Sequence, residues 1–153
     1  MRFCSIFYHG AFQTVDTIID EDVKTKQDII GGSEFEVFVI NLMDEVDYVC
    51  KEVSYKCQTY KTGSIIILCS ITPDELEVGL IKNIIVKPND VIFVITKFKA
   101  YRSLLGFFKC VPVVDIQFLS INVKNIIDYK PLSNHGTPSE PYFCLHHHIS
   151  CAF

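Results

Sequence analysis

Tryptophan is absent from the chain, and alanine occurs three times in 153 residues. So thin a supply of the best helix former argues against a helical bundle. No stretch approaches the ~20 consecutive apolar residues that cross a bilayer. An apolar run as long as any in the chain, Ile65-Ile66-Ile67-Leu68-Cys69, is of strand length, so no membrane partner is expected. The opening, MRFCSIFYHG, has neither an extended apolar region nor a small-residue cleavage site, and no secretory signal is expected. A basic excess is also missing. Fourteen Lys and Arg face 18 Asp and Glu, a net charge of −4, which weighs against a protein whose main task is to neutralise phosphates. Direct nucleic-acid binding is therefore not expected.

The familiar catalytic signatures are lacking too. Gly31-Gly32 is not followed by Gly-Lys-Ser/Thr, and no helix is expected after it to make a phosphate loop. No serine sits in a G-x-S-x-G elbow. Seven cysteines are an odd number and form no C-x-x-C pair. Without a secretory signal they read as reduced, mostly buried thiols in an intracellular protein, nuclear or cytoplasmic. Cys69, Cys50 and Cys110 sit in apolar surroundings that raise a thiol pKa, so they are expected to be inert.

What the chain does have is strand-forming residues. Apolar side chains make up 49%, enough for a packed core. Ile, Val, Phe and Tyr dominate, side chains that fit a pleated surface. Alternating or continuous apolar segments predict strands near 3–8, 12–19, 34–43, 46–60 (one or two), 64–71, 78–86, 90–97, 102–110 and 112–123. Breaks are expected at Gly31-Gly32, Met43-Asp44-Glu45, Thr62-Gly63, Thr72-Pro73-Asp74, Lys87-Pro88-Asn89-Asp90 and Lys99-Ala100-Tyr101. Such spacing predicts an all-β domain, a β-sandwich or barrel. The expected organisation is a core over 1–110, a further strand or extension over 111–130, and a C-terminal arm over 131–153 rich in Pro, His and Cys. In 93–109 aromatics alternate with lysines, which predicts rings turned inward and cations outward.

Charge is segregated along the chain. Residues 31–80 hold nine acidic against three basic side chains, and residues 81–110 hold one acidic against six basic. Two such stretches could meet in a head-to-tail assembly or draw in a basic partner. Cys144, His146, His148 and Cys151 have metal-ligating chemistry, and three of them share a face on an extended strand. They lack knuckle spacing, so neither a metal nor any other cofactor is expected. A small enzyme would need a site assembled from dispersed residues such as His9, Cys50 and His135, with no motif to join them.

A family resemblance rests on residues 64–108. Ile66-Ile67-Leu68-Cys69-Ser70-Ile71-Thr72-Pro73 leads into the apolar strand Leu80–Val86. The turn Lys87-Pro88-Asn89-Asp90 follows, then Val91-Ile92-Phe93 and a closing Leu104-Leu105-Gly106-Phe107-Phe108. Near the start stands Phe7-Tyr8-His9-Gly10. This series resembles the core domain of the nucleoplasmin family, which also heads certain nuclear prolyl isomerases and plant HD-tuin proteins. The family's second-strand pattern has no counterpart at 18–32, and Val111–Phe153 stands where many members carry an acidic tail. The resemblance implies an eight-stranded jelly roll, a form of β-sandwich, closing into a homo-pentamer, non-enzymatic and acting as a histone chaperone. It implies that acidic side chains hold basic proteins, histones among them. In this chain those would be Asp20, Glu21 and Asp22, with Glu34, Glu36, Asp44, Glu45 and Asp47 extending the acidic face. From another class comes a virus-encoded β-sandwich that binds a host factor and antagonises a defence pathway.

Overall fold

Two twelve-residue strands, Glu75–Val86 and Val91–Arg102, form a hairpin on which the remaining elements are built. A computed structural model describes residues 17–18, 23–113, 118–126 and 130–145. In chain order the elements are β1 (Thr17–Ile18), β2 (Lys24–Thr25), α1 (Glu34–Leu42), β3 (Tyr48–Cys50), β4 (Glu52–Tyr55), β5 (Gln58–Lys61), β6 (Ile65–Thr72), β7 (Glu75–Val86), β8 (Val91–Arg102), β9 (Phe108–Pro112), β10 (Phe118–Asn122) and β11 (Tyr142–Phe143). Short 3-10 turns occupy Lys26–Asp28 and Val123–Asn125. Every described strand pair is antiparallel.

Strands dominate, as the composition demands. The large sheet runs β11-β9-β8-β7-β3-β2, with β10 beside β8 and β6 beside β7. The sheet therefore splits at each end of the β7–β8 hairpin. β6 and β9 flank the end near Glu75 and Arg102, while β3 and β10 flank the end near Val86 and Val91. β3 passes through Lys51 directly into β4, which belongs to a second sheet, β1-β4-β5. Two antiparallel sheets thus share one apolar interior, the sandwich expected from the strand spacing.

One extra residue sets which side chains face where. The β7–β8 register pairs Ile81 with Ile95 but Asn83 with Val94, so Lys82 is a bulge. Before it, Leu76, Val78 and Leu80 point to one face; after it, Ile85 does, and Ile84 and Val86 point to the other. The first face has two covers. At the Val86 end α1 lies over Val49, Ile85 and Val94 through Val39 and Met43. At the other end Leu132 and Phe143 close over Ile65, Phe98 and Phe108, with Phe108 and Phe143 stacked at 5.2 Å. The second face packs on the smaller sheet, where Val53, Tyr55 and Tyr60 meet Ile81, Phe93 and Ile95. Tyr60 and Phe93 have ring centroids 5.0 Å apart.

Four sequence expectations are corrected. Residues 34–43, expected as a strand, form a helix. Gly31-Gly32 frees the chain to turn, and Ser33 caps the helix: its Oγ accepts from Glu36 N at 3.1 Å and donates to Glu36 Oε1 at 3.2 Å. Phe35, Phe38, Val39 and Leu42 then fall on one side of the helix, spaced three and four apart, which outweighs the E-F-E-V alternation. Region 46–60 yields three strands, not one or two, because the chain changes sheet at Lys51 and turns again at Lys56-Cys57. The break expected at Lys99-Ala100-Tyr101 lies inside β8, and the chain turns instead at 103–107. Within the C-terminal arm, Leu132 pairs with Ile65 by two backbone hydrogen bonds of 2.8 Å, and Phe143 is fully buried. Lastly, Cys69 is exposed, since the β6 register shifts between Ile67 and Cys69. Cys50 and Cys110 are buried as expected, and burial pushes the Cys110 thiol up to about 12.

The β4–β5 turn places Lys56 (φ 48°) and Cys57 (φ 65°) in left-handed backbone, the hairpin geometry normally filled by Asn-Gly. Each such non-glycine residue costs about 1 kcal/mol. Cys57→Gly is expected to raise stability by about 0.5–1 kcal/mol, a figure net of the entropy lost by glycine, and urea unfolding monitored by circular dichroism measures it.

Candidate functional site

The helix that replaces the expected strand creates the best-formed cavity among the described residues. It lies where the 3-10 turn, α1 and β3 meet, and encloses about 220 Å³. Ile29, Phe35, Val39 and Val49 supply apolar lining, and Asn83 reaches it from the strand just past the bulge. Phe35 is held from behind by Phe118 of β10, at a centroid distance of 4.9 Å. Ile30 stands at the lip and is 80% exposed. An apolar space of about 150 Å³ accommodates a benzene ring. This one is the right size for one or two leucine-like side chains, and falls short of the ~300 Å³ at which drug-sized ligands begin.

Charges surround that lining. Asp28 and Glu36 stand on one side of the balance, Lys24 and Lys51 on the other. Asp28 Oδ2 accepts from both Thr25 N and Thr25 Oγ1 at 2.9 Å. These two hydrogen bonds, aided by Lys24, hold its carboxyl below the usual carboxylate range. Glu36 is engaged with Ser33. Both acids are thus fixed in place by local contacts, which suits them to set a field and ill suits them to shuttle protons.

The acids expected to form a binding face are spread apart. Glu34 and Glu36 begin α1, where they complement the positive helix end. Asp44 and Glu45 are exposed beyond its other end. Asp47, by contrast, is only 1% exposed and cannot present itself to a partner. Its Oδ2 accepts from Asp44 N at 2.7 Å and from the Lys87 ammonium at 2.5 Å. Asp44 adds a second carboxylate 3.6 Å from Lys87. Burial works against the Lys87 charge, but the hydrogen bond and attraction of Asp47, with Asp44 behind it, prevail and raise its pKa. Asp47 is thus a structural acid joining the α1–β3 turn to the β7–β8 turn. Sequence reasoning missed this because Asp47 and Lys87 are forty residues apart. Asp20, Glu21 and Asp22 lie outside the described residues, as do His9, His146, His148 and Cys151. Cys144 is half-buried near the end of the covering segment, and His135 is exposed, its ring 5.9 Å from that of Tyr142 and far from Cys50 in the fold. No group of three or more His, Cys, Asp or Glu side chains fit to hold a metal occurs among the described residues.

The cleft lining itself was not foreseen. The signal available for it was the Ser33-x-x-Glu36 box ahead of Phe35, Phe38 and Val39. A scan of protein-family models finds no match to the chain, and comparison with curated proteins and with solved structures finds none either.

Proposed function

We propose that this β-sandwich is a non-enzymatic, homo-oligomeric binding module, which holds partners bearing an apolar side chain on a basic segment. One observation carries the reading: an apolar cleft of about 220 Å³ opens beside Asp28 and Glu36, with Glu34 exposed at the start of the same helix. Such a cleft fits an anchor residue better than a metabolite, and well-packed anchors of this kind supply most of the affinity at protein interfaces. The acidic side of the rim, Asp28 and Glu36 with Glu34 close by, then favours a basic residue beside the anchor, a preference that Lys24 and Lys51 on the other side moderate. The resemblance over 64–108, which falls on β6 through β9, supports a chaperone-type role toward basic proteins such as histones, with nuclear residence.

The test is a matched pair of labelled peptides, each with a central leucine, one flanked by lysines and arginines and the other by glutamates. The basic peptide is expected to bind about threefold more tightly, because Lys24 and Lys51 offset part of the acidic side, and that preference should shrink as salt rises toward 0.5 M. Ile30→Lys is expected to weaken binding of the basic peptide by about tenfold while the melting temperature stays put. Equal binding of the two peptides, or indifference to Ile30→Lys, refutes the reading. Core histones titrated over the same salt series extend the test to folded basic proteins.

A further inference from the structure

The opposite end of the central hairpin carries what the cleft lacks. The β8–β9 turn is tight: Ser103 N donates to Phe107 O at 2.7 Å, Gly106 N to Ser103 O at 3.1 Å, and Gly106 has φ +92°. On this rigid tip Leu104 is fully exposed and Leu105 is 86% exposed. Adjacent leucines held in water at the apex of a well-ordered hairpin serve nothing inside the chain. Tyr101, Arg102 and Lys109 surround them, with Lys99 one step further back on the same outer face as Tyr101. Arg102 is paired with Asp74 at 3.1 Å.

We infer that this tip is the occupant of the cleft, supplied by a second copy of the chain in head-to-tail association. The inference rests on the cleft reading above and names its partner. Three observations support it. The knob is two leucines, and the hole has the volume for one or two such side chains. The tip presents Lys109 with Lys99 behind it, Arg102 being paired with Asp74, and the hole offers Asp28, Glu36 and the nearby Glu34 on one side with Lys24 and Lys51 on the other, so the tip's cations meet the acidic side. The tip also cannot fill the hole of its own chain. Asn83, which lines the hole, pairs with Val94, and from there to Arg102 the strand runs about 25 Å at ~3.3 Å per residue, away from the cleft. Knob and hole on different surfaces make a heterologous contact, so copies add in sequence and form a ring if the rotation closes. A tip-to-tip dimer is the competing arrangement of the same leucines.

Sedimentation of the full chain from 1 to 200 µM provides the test, with two variants. Leu104→Glu/Leu105→Glu removes the knob, and Ile30→Lys spoils the hole; all three positions are exposed, so both proteins should fold. The parent is expected to assemble beyond a dimer, and each variant to associate at least about 30-fold more weakly, the loss typical of removing a hot spot. An equimolar mixture of the two variants should form a dimer and nothing larger, because each pair retains one intact knob and one intact hole. A mixture that stays monomeric, or a knobless variant that assembles like the parent, overturns the inference; dimers of the Ile30→Lys variant alone indicate tip-to-tip pairing and overturn it too. A parent that is monomeric yet still prefers the basic leucine peptide overturns self-association and leaves the cleft reading intact. A parent that does neither overturns both.

Discussion

Gly79→Val is expected to lower the melting temperature by about 10 °C. A Cβ built on Gly79 falls 2.5 Å from Ile95 Cδ1 and 3.2 Å from Ile95 Cβ. Ile95 is 1% exposed, wedged among Ile81, Phe93 and the side chains of the smaller sheet, so it has nowhere to retreat. Overpacking of this kind typically costs 1–3 kcal/mol, and a branched side chain against an immobile isoleucine belongs at about 3 kcal/mol. For a chain of this size each kilocalorie moves the midpoint by about 2–4 °C. Gly63→Ala serves as the control. Nothing lies within 4 Å of its added Cβ, and only the positive φ of 89° opposes it, at about 1 kcal/mol. If the two variants melt together, the close approach of β7 to Ile95 is not what requires glycine at position 79.

Asp47→Ala is expected to cost about 3 kcal/mol, the low end for breaking a buried ion pair, because the Lys87 side chain retains 22% of its exposure. The substitution strands Asp44 N and leaves the Lys87 ammonium only the exposed Asp44 carboxylate at 3.6 Å. Its pH dependence identifies the cause. Lys87 has a folded-state pKa above the ordinary lysine value of about 10.4. The stability it contributes is therefore complete below about pH 10.4 and is lost as the pH climbs through the raised folded value. Urea titrations at pH 8 and pH 11 should show the parent losing its advantage over Asp47→Ala at the higher pH. A constant difference between them means that the carboxylate acts through the Asp44 N–H alone.

The architecture was largely legible because strand signals are local. Phe98 turned inward between Lys97 and Lys99 turned outward follows from period-two alternation, and the turns at 62–63, 73–74 and 87–90 from their Gly, Pro and Asp residues, whereas Phe93 lies on the face of Lys97 and is buried only because the smaller sheet covers that end. The helix was misread because E-F-E-V also alternates, and only the cap at Ser33 breaks the tie. Cys69 and the covering role of Phe143 depend on register and on contacts between distant segments, which periodicity does not encode. The cleft was illegible for the same reason: its lining draws on a turn, a helix and three strands. Asp47 looked like any acid in a turn until its distant cation was found beside it.

The bulge at Lys82 gives the central hairpin one residue of slack. Losing that residue would leave a plain ladder, with Ile81 still opposite Ile95 and Asn83 still opposite Val94, so Ile84 and Val86 would keep their place between the sheets. A single deletion should therefore be tolerated at Lys82, whereas one residue added or lost within the regular pairing of Glu75–Ile81 would turn the apolar set there to the wrong side, so that related chains would vary by one at the bulge and by even steps in the plain ladder.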